Sequence, residues 1–227
     1  MRAVLDIDAL PIAYRNSGWM IHPAGMRSGS IVYSFGVGHD IEWDLAMIQK
    51  FGVTVHAFDP TPRSINWVRN QRLPERFRFH EYGVADCDGS LTLFAPRRPS
   101  SFHYSSIRRS LRQDARDVIS APVYRLSTIM RMLGHDHIDV LKMDIEGAEY
   151  GVINDIVESG ISVGQFLLEF HHNFRGVGAR RTVKAVSRLR SLGFEVFHIS
   201  DRSYEMSLIH CDALSAPAAT PAAPAMA

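Results

Sequence analysis

Two glycines, Gly36 and Gly38, interrupt an apolar run in "SIVYSFGVGHDIEW", and Asp59 follows 23 residues after the first of them. Farther along, "LKMDIEGAE" brings Lys142, Asp144, Glu146 and Glu149 close together, and "LLEFHH" ends on Glu169, His171 and His172. Glycines where a strand gives way to a helix let a ligand approach the backbone and adopt dihedrals that other residues avoid. A carboxylate ending the next strand can accept hydrogen bonds from ribose hydroxyls. Carboxylates and imidazoles can take a proton from an alcohol. Together these types and spacings describe a nucleoside-type site beside groups suited to proton transfer.

The loop itself narrows the ligand. A dinucleotide fingerprint needs a third glycine three residues after the second, and that position is Ile41. His39 and Asp40 stand where a pyrophosphate would lie, and Asp40 would repel it. No Gly-Lys-Ser/Thr follows, which excludes a P-loop. A ribose without pyrophosphate points to S-adenosylmethionine, with Gly36, Gly38 and Asp59 as its contacts. The competing reading of Asp59 is a cap for the helix that begins in "TPRS".

The elements that must position these residues are legible as alternating patterns. "IVYSFGV" reads as a buried strand, and "IEWDLAMIQKFG" as a helix stopping at Gly52. "VTVHAFD" is a second strand, "TPRSINWVRNQR" a helix with Thr61 as N-cap and Pro62 in its first turn, and "RFRFHEYGVAD" a third strand. "DCDGSLTLFAP" turns into a further short strand; "VYRL" and "STIMRML" add a short strand and helix. "HIDVLKMDI" is a strong strand, followed by a helix ending at Gly160, the strand "QFLLEFHH", a helix closing on Gly193, and a final antiparallel pair "EVFHIS" and "MSLIHC". This predicts an α/β fold: a mostly parallel seven-stranded sheet with helices on both faces and an antiparallel edge strand. Residues 1–24 read as an N-terminal extension, 25–212 as the main domain, and the Ala/Pro-rich 213–227 as a disordered tail.

Composition excludes several classes. The chain has 227 residues, 46% apolar and 22% charged, with net charge +1, so the overall balance points to neither nucleic acid nor membrane. Cys87 and Cys211 form neither a disulfide framework nor a zinc spacing, which suits a reducing cytoplasm. The acidic start "MRAVLDIDAL" does not read as a signal peptide, and no long uncharged apolar stretch reads as a membrane span. The H-x-H pair at His135 and His137 lacks a third ligand at a convincing spacing, and "DCDG" lacks the calcium-loop pattern, so no metal site is read.

"VHAFDPTPRSINWV", "FHEYGVADCDGSLTLF", "RLSTIM", "IDVLKMDIEGAEYGVI", "LLEFHH" and "LRSLGFEVFHIS" resemble the FkbM-type S-adenosylmethionine-dependent methyltransferases. The resemblance runs from about Ser30 to Cys211, and the K-M-D-I-E-G-A-E block is its most specific part. It implies the class I, Rossmann-like methyltransferase fold and methylation of hydroxyl oxygens on sugars or secondary metabolites. The common class I first motif has an acidic residue before G-x-G-x-G; here Ser34 and Asp40 replace the acid and the third glycine. By resemblance, Asp86 sits where the adenine amino group is met, flanked by Val84 and Ala85; the bland alternative is a turn-forming Asp.

For the chemistry, Asp144 is the first candidate base and a cofactor neighbour, with His171 in reserve, oriented by Glu169. An ion pair with Lys142 is the alternative for Asp144, and a satisfied structural imidazole that for His171. The helix dipole is a sufficient plain account of both Glu146 and Glu149; against it, Glu146, nearer the strand end, reads as a contact to the acceptor or to the cofactor's amino group. Between Pro96 and Met132 there are eight Arg and two Asp. Arg108 and Arg109 in this stretch read as contacts to an anionic small-molecule acceptor, and Arg108, Arg112 and Arg116 would align on a helix; a solvated helix face is the plainer account. Two rival functions stay open: a nicotinamide oxidoreductase on the same sheet, and a non-catalytic binding protein retaining the fold.

Overall fold

The computed structural model describes residues 5–12, 19–96, 98, 100–108 and 118–215. The chain opens with a two-residue pair, β1 (Leu10–Pro11) and β2 (Met20–Ile21), then enters β3 (Ile31–Phe35). There follow α1 (Glu42–Phe51), β4 (Thr54–Phe58), α2 (Pro62–Arg69) and β5 (Phe77–His80). Three short strands, β6 (Gly83–Val84), β7 (Gly89–Phe94) and β8 (Val118–Tyr124), precede α3 (Leu126–Leu133). The second half is β9 (Ile138–Met143), α4 (Glu149–Ser159), β10 (Val163–Glu169), α5 (Ala179–Arg190), β11 (Phe194–Ile199) and β12 (Glu205–His210), ending in a 3-10 turn.

The fold is α/β, with a mixed seven-stranded sheet in the order β11-β12-β10-β9-β3-β4-β5. Strands β5, β4, β3, β9 and β10 run parallel; β12 is antiparallel to both its neighbours. The expected antiparallel edge strand is therefore displaced: β12 lies second from the edge, and β11 is the edge. The five-residue loop between β11 and β12 forces antiparallel pairing but does not decide which of the two inserts beside β10. The segments "DCDGSLTLFAP" and "VYRL" also leave the main sheet. The third strand read in "RFRFHEYGVAD" divides: β5 stays in the main sheet, while β6 joins β8 and β7 in a small second sheet, β6-β8-β7.

Side-chain alternation divides the core between the two faces of the main sheet. Tyr33, Phe35, Phe58, Leu141, Met143, Phe166 and Leu168 share one cluster with residues of α3, α4 and α5. Val32, Val55, Val140 and Leu167 face the other way, onto Trp43 and Met47 of α1 and onto Ile12, Trp19 and Ile21 of the N-terminal segment. Those N-terminal side chains are buried. Lys142 follows the same alternation and lies beside Trp19 and Trp43, its Nζ 5.2 and 5.8 Å from their ring centroids. Three helices stop at glycines in the left-handed region, Gly52, Gly134 and Gly160, where a side chain would be strained. Thr61 holds the N-cap place of α2 with no side-chain cap bond to the helix; its hydroxyl goes to Asp59 instead.

A histidine cluster at the β4–β5 side gives a pH test of this packing. His56 stacks on His80 at 5.3 Å and meets His135 edge-on at 5.0 Å; Tyr33 packs on both His56 and His135. Burial, then the neighbouring His80, His135 and Arg78, pushes the His56 pKa down to about 4. A folded pKa below the unfolded value contributes stability that is complete above about pH 6.5 and lost as pH falls through about 4. Thermal melts from pH 7 to 4 are expected to fall less steeply for His56→Gln than for the wild type. Parallel slopes would show that His56 titrates normally.

Candidate active site

In the sheet order, β3 is followed on one side by β4 and β5 and on the other by β9, so the order in which the parallel strands are laid down reverses between β3 and β9. Open α/β sheets leave a crevice at such a reversal, beyond the carboxyl ends of the strands. A cavity of about 540 Å³ lies there, within the range for small-molecule sites. Gly36, Gly38, Asp59, Asp144, Glu146 and Glu169 all line it.

Gly36 makes the crevice possible. It has φ +87°, and a Cβ at this position would fall 1.7 Å from the Asp144 carbonyl oxygen. The glycine thus lets the turn after β3 press against the end of β9, where Asp144 donates its N–H to the Phe35 carbonyl. Gly38, at φ +58°, donates its N–H to Asp59 Oδ2 at 2.9 Å.

Asp59 points inward and is 5% exposed. Its Oδ1 accepts the Thr61 N–H at 2.9 Å and the Thr61 hydroxyl at 2.6 Å. A carboxylate offers about four acceptor positions, and the Thr61 and Gly38 bonds take three. Asp59 therefore both ties the entry to α2 and braces the glycine loop, with one acceptor position on Oδ2 remaining.

A loop covers the cavity. Phe102, His103 and Tyr104 line it. Phe102 stacks on His39 at 4.6 Å, and Arg63 binds the Ser101 carbonyl and lies 5.5 Å from the Tyr104 ring centroid. His103 Nδ1 is 2.6 Å from Glu146 Oε1, and the Ser105 hydroxyl donates to the Glu146 carbonyl at 2.7 Å. Glu146 itself has φ +55°, uncommon for a residue with a Cβ. The neighbouring Gly147 is at φ +107°, with Ile107 packed so closely that a Cβ would come within 2.6 Å. The sharp turn after β9 is thus clamped by the covering loop.

Behind the lining stands His171, 7% exposed. Its Nδ1 is 2.8 Å from Oε1 of Glu149, a fully buried carboxylate that also accepts the N–H groups of Ile145 and Gly147. Its Nε2 lies 3.4 Å from Glu146 Oε2, 3.6 Å from Asp144 Oδ1 and 3.9 Å from Glu169 Oε1. Burial alone would lower the His171 pKa; the bond to Glu149 and the surrounding carboxylates outweigh it and raise it to about 9. Asp144 is raised to about 6 by burial and by Glu146, and Glu169 to about 8 by burial and by Asp144.

The structure separates the residues singled out from sequence. Gly36, Gly38, Asp59, Asp144 and Glu146 line one cavity. His171 contacts the lining carboxylates from behind. Asp86 is not among the lining residues; it packs on α4, where a Cβ on Gly151 would come 2.9 Å from its Oδ2. Gly83 and Val84 line the wall there instead. Arg108 is exposed and away from the lining. Arg109, Arg112 and Arg116 lie outside the described residues, as does the tail beyond Ser215. Sequence reasoning undervalued Glu149, whose helix-dipole explanation does not account for a fully buried carboxylate holding two backbone N–H groups and an imidazole. It also passed over Trp19 and Asp44, which line the cavity with Trp43 and Lys142. The signal for Asp44 was its place on the apolar side of α1, among Trp43 and Met47.

Comparisons with known proteins agree with one another. The chain is 27% identical over 177 residues to a probable methyltransferase-like protein 24 of Rattus norvegicus, covering 74% of this chain and 42% of that one. It is 24% identical over 220 residues to the 31-O-demethyl-FK506 methyltransferase FkbM of Streptomyces tacrolimicus, covering 85% and 83%. It thus spans less than half the length of the mammalian relatives. Among solved structures it is similar to a methyltransferase FkbM from Methylobacillus flagellatus, at 16% identity and TM-score 0.48, over 81% of this chain and 44% of that one. Residues 4–196 match the Methyltransferase FkbM domain family. On this match, which takes in the glycine turn, Asp59 and the β9–α4 carboxylates, the chain belongs to the FkbM methyltransferase family.

Proposed function

We propose that the chain is an S-adenosylmethionine-dependent O-methyltransferase of class I, Rossmann-like type, acting on a hydroxyl of a sugar or secondary metabolite. The observation that carries the reading is that Asp59, the glycine turn and the carboxyl of Asp144 line one cavity at the strand reversal. The residues fit the cofactor. Asp59 has one acceptor position for a ribose hydroxyl. Phe58, Val84 and Leu93 supply an apolar wall for the base, and Lys142 supplies a cation for the amino-acid carboxylate. Asp44 Oδ1, buried with no hydrogen-bond partner among the described residues, suits the ammonium. The relative from Streptomyces tacrolimicus is by name a 31-O-demethyl-FK506 methyltransferase, which supports an oxygen acceptor.

When bound, the cofactor supplies an electrophilic methyl on a sulfonium. The chain's own work is to align the acceptor, exclude water and remove the hydroxyl proton. Asp144 would take that proton from the acceptor hydroxyl, leaving the oxygen free to act as the nucleophile. A carboxyl raised to about 6 is a better base than an ordinary aspartate and is still ionised at neutral pH. His171, held near 9, carries its proton at neutral pH and is set as a charge partner rather than the base. The loop that lines the crevice is tied at Glu146, His39 and Arg63, which places it to limit water beside a bound acceptor.

Calorimetric titration with S-adenosylmethionine tests the assignment. The wild type is expected to bind, and Asp59→Ala to bind about 10- to 100-fold more weakly, the loss that goes with a hydrogen bond to a charged group. Circular dichroism checks that the variant is folded. Equal affinity in both would remove Asp59 from the site, and no binding to the wild type would sink the cofactor reading.

A further inference from the structure

Proton transfer by Asp144 leaves a buried arrangement beside it unused. One imidazole is surrounded by four carboxylates, Asp144, Glu146, Glu149 and Glu169. The bond from Nδ1 to Glu149 is the one hydrogen bond the His171 imidazole makes among the described residues, and it aims Nε2 at the other three acids. Asp144 Oδ1 is sealed from solvent and also makes no hydrogen bond there. Donor atoms of Asp144, Glu169 and His171 all lie within 4.8 Å of one another.

A network of ion pairs would draw these atoms closer. Charge-assisted hydrogen bonds run at about 2.7–2.9 Å, yet Nε2 stands 3.4 to 3.9 Å from three carboxylates and settles on none. Those gaps suit an ion at the centre. A cation with bonds of about 2.1–2.2 Å sets neighbouring ligand atoms about 3 Å apart and opposite ones a little over 4 Å. The outer partner has the usual form as well: a ligating histidine commonly gives its second nitrogen to a carboxylate, which holds the ring in place. Glu149 does this from a fully buried position.

We propose that Asp144, Glu169 and His171 bind a divalent cation of the Mn²⁺ class, with Glu149 as the positioning residue for His171. On binding, the ion takes the place of the proton that His171 otherwise carries on Nε2, and one imidazole with carboxylates and room for water favours Mn²⁺ over thiolate-seeking metals. Asp144 and Glu169 also line the cavity, so the ion faces the acceptor. There it acts as a Lewis acid on the acceptor hydroxyl, lowering the cost of removing its proton. Asp144 gives the ion its sealed Oδ1 and keeps Oδ2 for that proton. This catalytic role rests on the methyl-transfer reading; the binding site rests on geometry alone.

Electron paramagnetic resonance of free Mn²⁺, titrated with the full chain, tests it. One equivalent is expected to lose its free-ion signal per chain. Glu169→Gln is expected to abolish that binding and Glu149→Gln to weaken it about 10- to 100-fold, with near-ultraviolet circular dichroism showing both folded. No stoichiometric binding to the wild type at millimolar Mn²⁺ overturns the site. So does unchanged binding in both variants, since the ion would then sit on other residues. Thermal shift with S-adenosylmethionine is read separately. Mn²⁺ binding without cofactor binding keeps the site and removes the methyl-transfer reading. Full turnover in EDTA, with cofactor bound, removes the ion's catalytic role.

Discussion

Gly36→Ala is expected to destabilise the protein by about 3 kcal/mol or more, and to abolish cofactor binding in whatever fraction folds. Two effects add. The residue sits at φ +87°, where a Cβ is strained whatever its surroundings. The added methyl would also occupy the place of the Asp144 carbonyl oxygen, at 1.7 Å. Backbone atoms cannot rotate away as a side chain can. The turn after β3 and the end of β9 would have to part, and these are the two edges of the crevice. Strained backbone positions cost of order 1–3 kcal/mol each, and a steric clash in a packed region adds to that. Urea unfolding of the two proteins measures the loss. A midpoint within experimental error of the wild type would mean that the turn is looser than described. Gly38→Ala is the milder comparison, because the nearest atom to its added Cβ is Phe102 Cβ at 3.9 Å.

Asp144→Asn is expected to lower turnover by about 10²- to 10⁴-fold while leaving cofactor affinity within a few fold. Removal of a positioned general base typically costs that much. The amide keeps the shape of the side chain and the backbone bond from Asp144 N–H to Phe35. What it loses is the negative charge, and with it the ability to take a proton and the anionic ligand of the proposed cation. The substitution also relieves charge repulsion within the cluster, since Asp144 is one of the groups that raise Glu169. The variant should therefore melt no lower than the wild type. Activity lost together with stability would indicate a structural role. Single-turnover methyl transfer to a bound hydroxyl acceptor, paired with calorimetry on the same samples, separates the outcomes. Unchanged turnover would take Asp144 out of the chemistry.

Much of the scaffold was readable because its signals are local. Gly52 and Gly160 stop their helices through their own left-handed backbone, and Pro62 starts α2 through its own ring. Buried strands announce themselves by apolar runs bounded by turns. The small sheet was not readable in this way. Strands β7 and β8 have the same short apolar character as members of the main sheet, and nothing along the chain says which edge they pair with. The place of β12 has the same cause. A hairpin fixes relative direction, while its docking depends on which strand better covers β10.

The site divides along the same line. By itself the order of residues determined that a glycine turn would face a carboxylate-tipped strand, because βαβ units deliver successive strand ends to one crevice. It therefore placed Gly36, Gly38, Asp59 and Asp144 together. Only the tertiary structure decided that Asp86 would turn onto α4 rather than into the cavity, since that orientation depends on a gap above Gly151 supplied by another element. The tertiary structure alone also joined Glu149 to His171, 22 residues onward. Periodicity reports which face of its own element a side chain occupies; the partner it meets is set by how separate elements pack, and that distance is written nowhere in the local pattern.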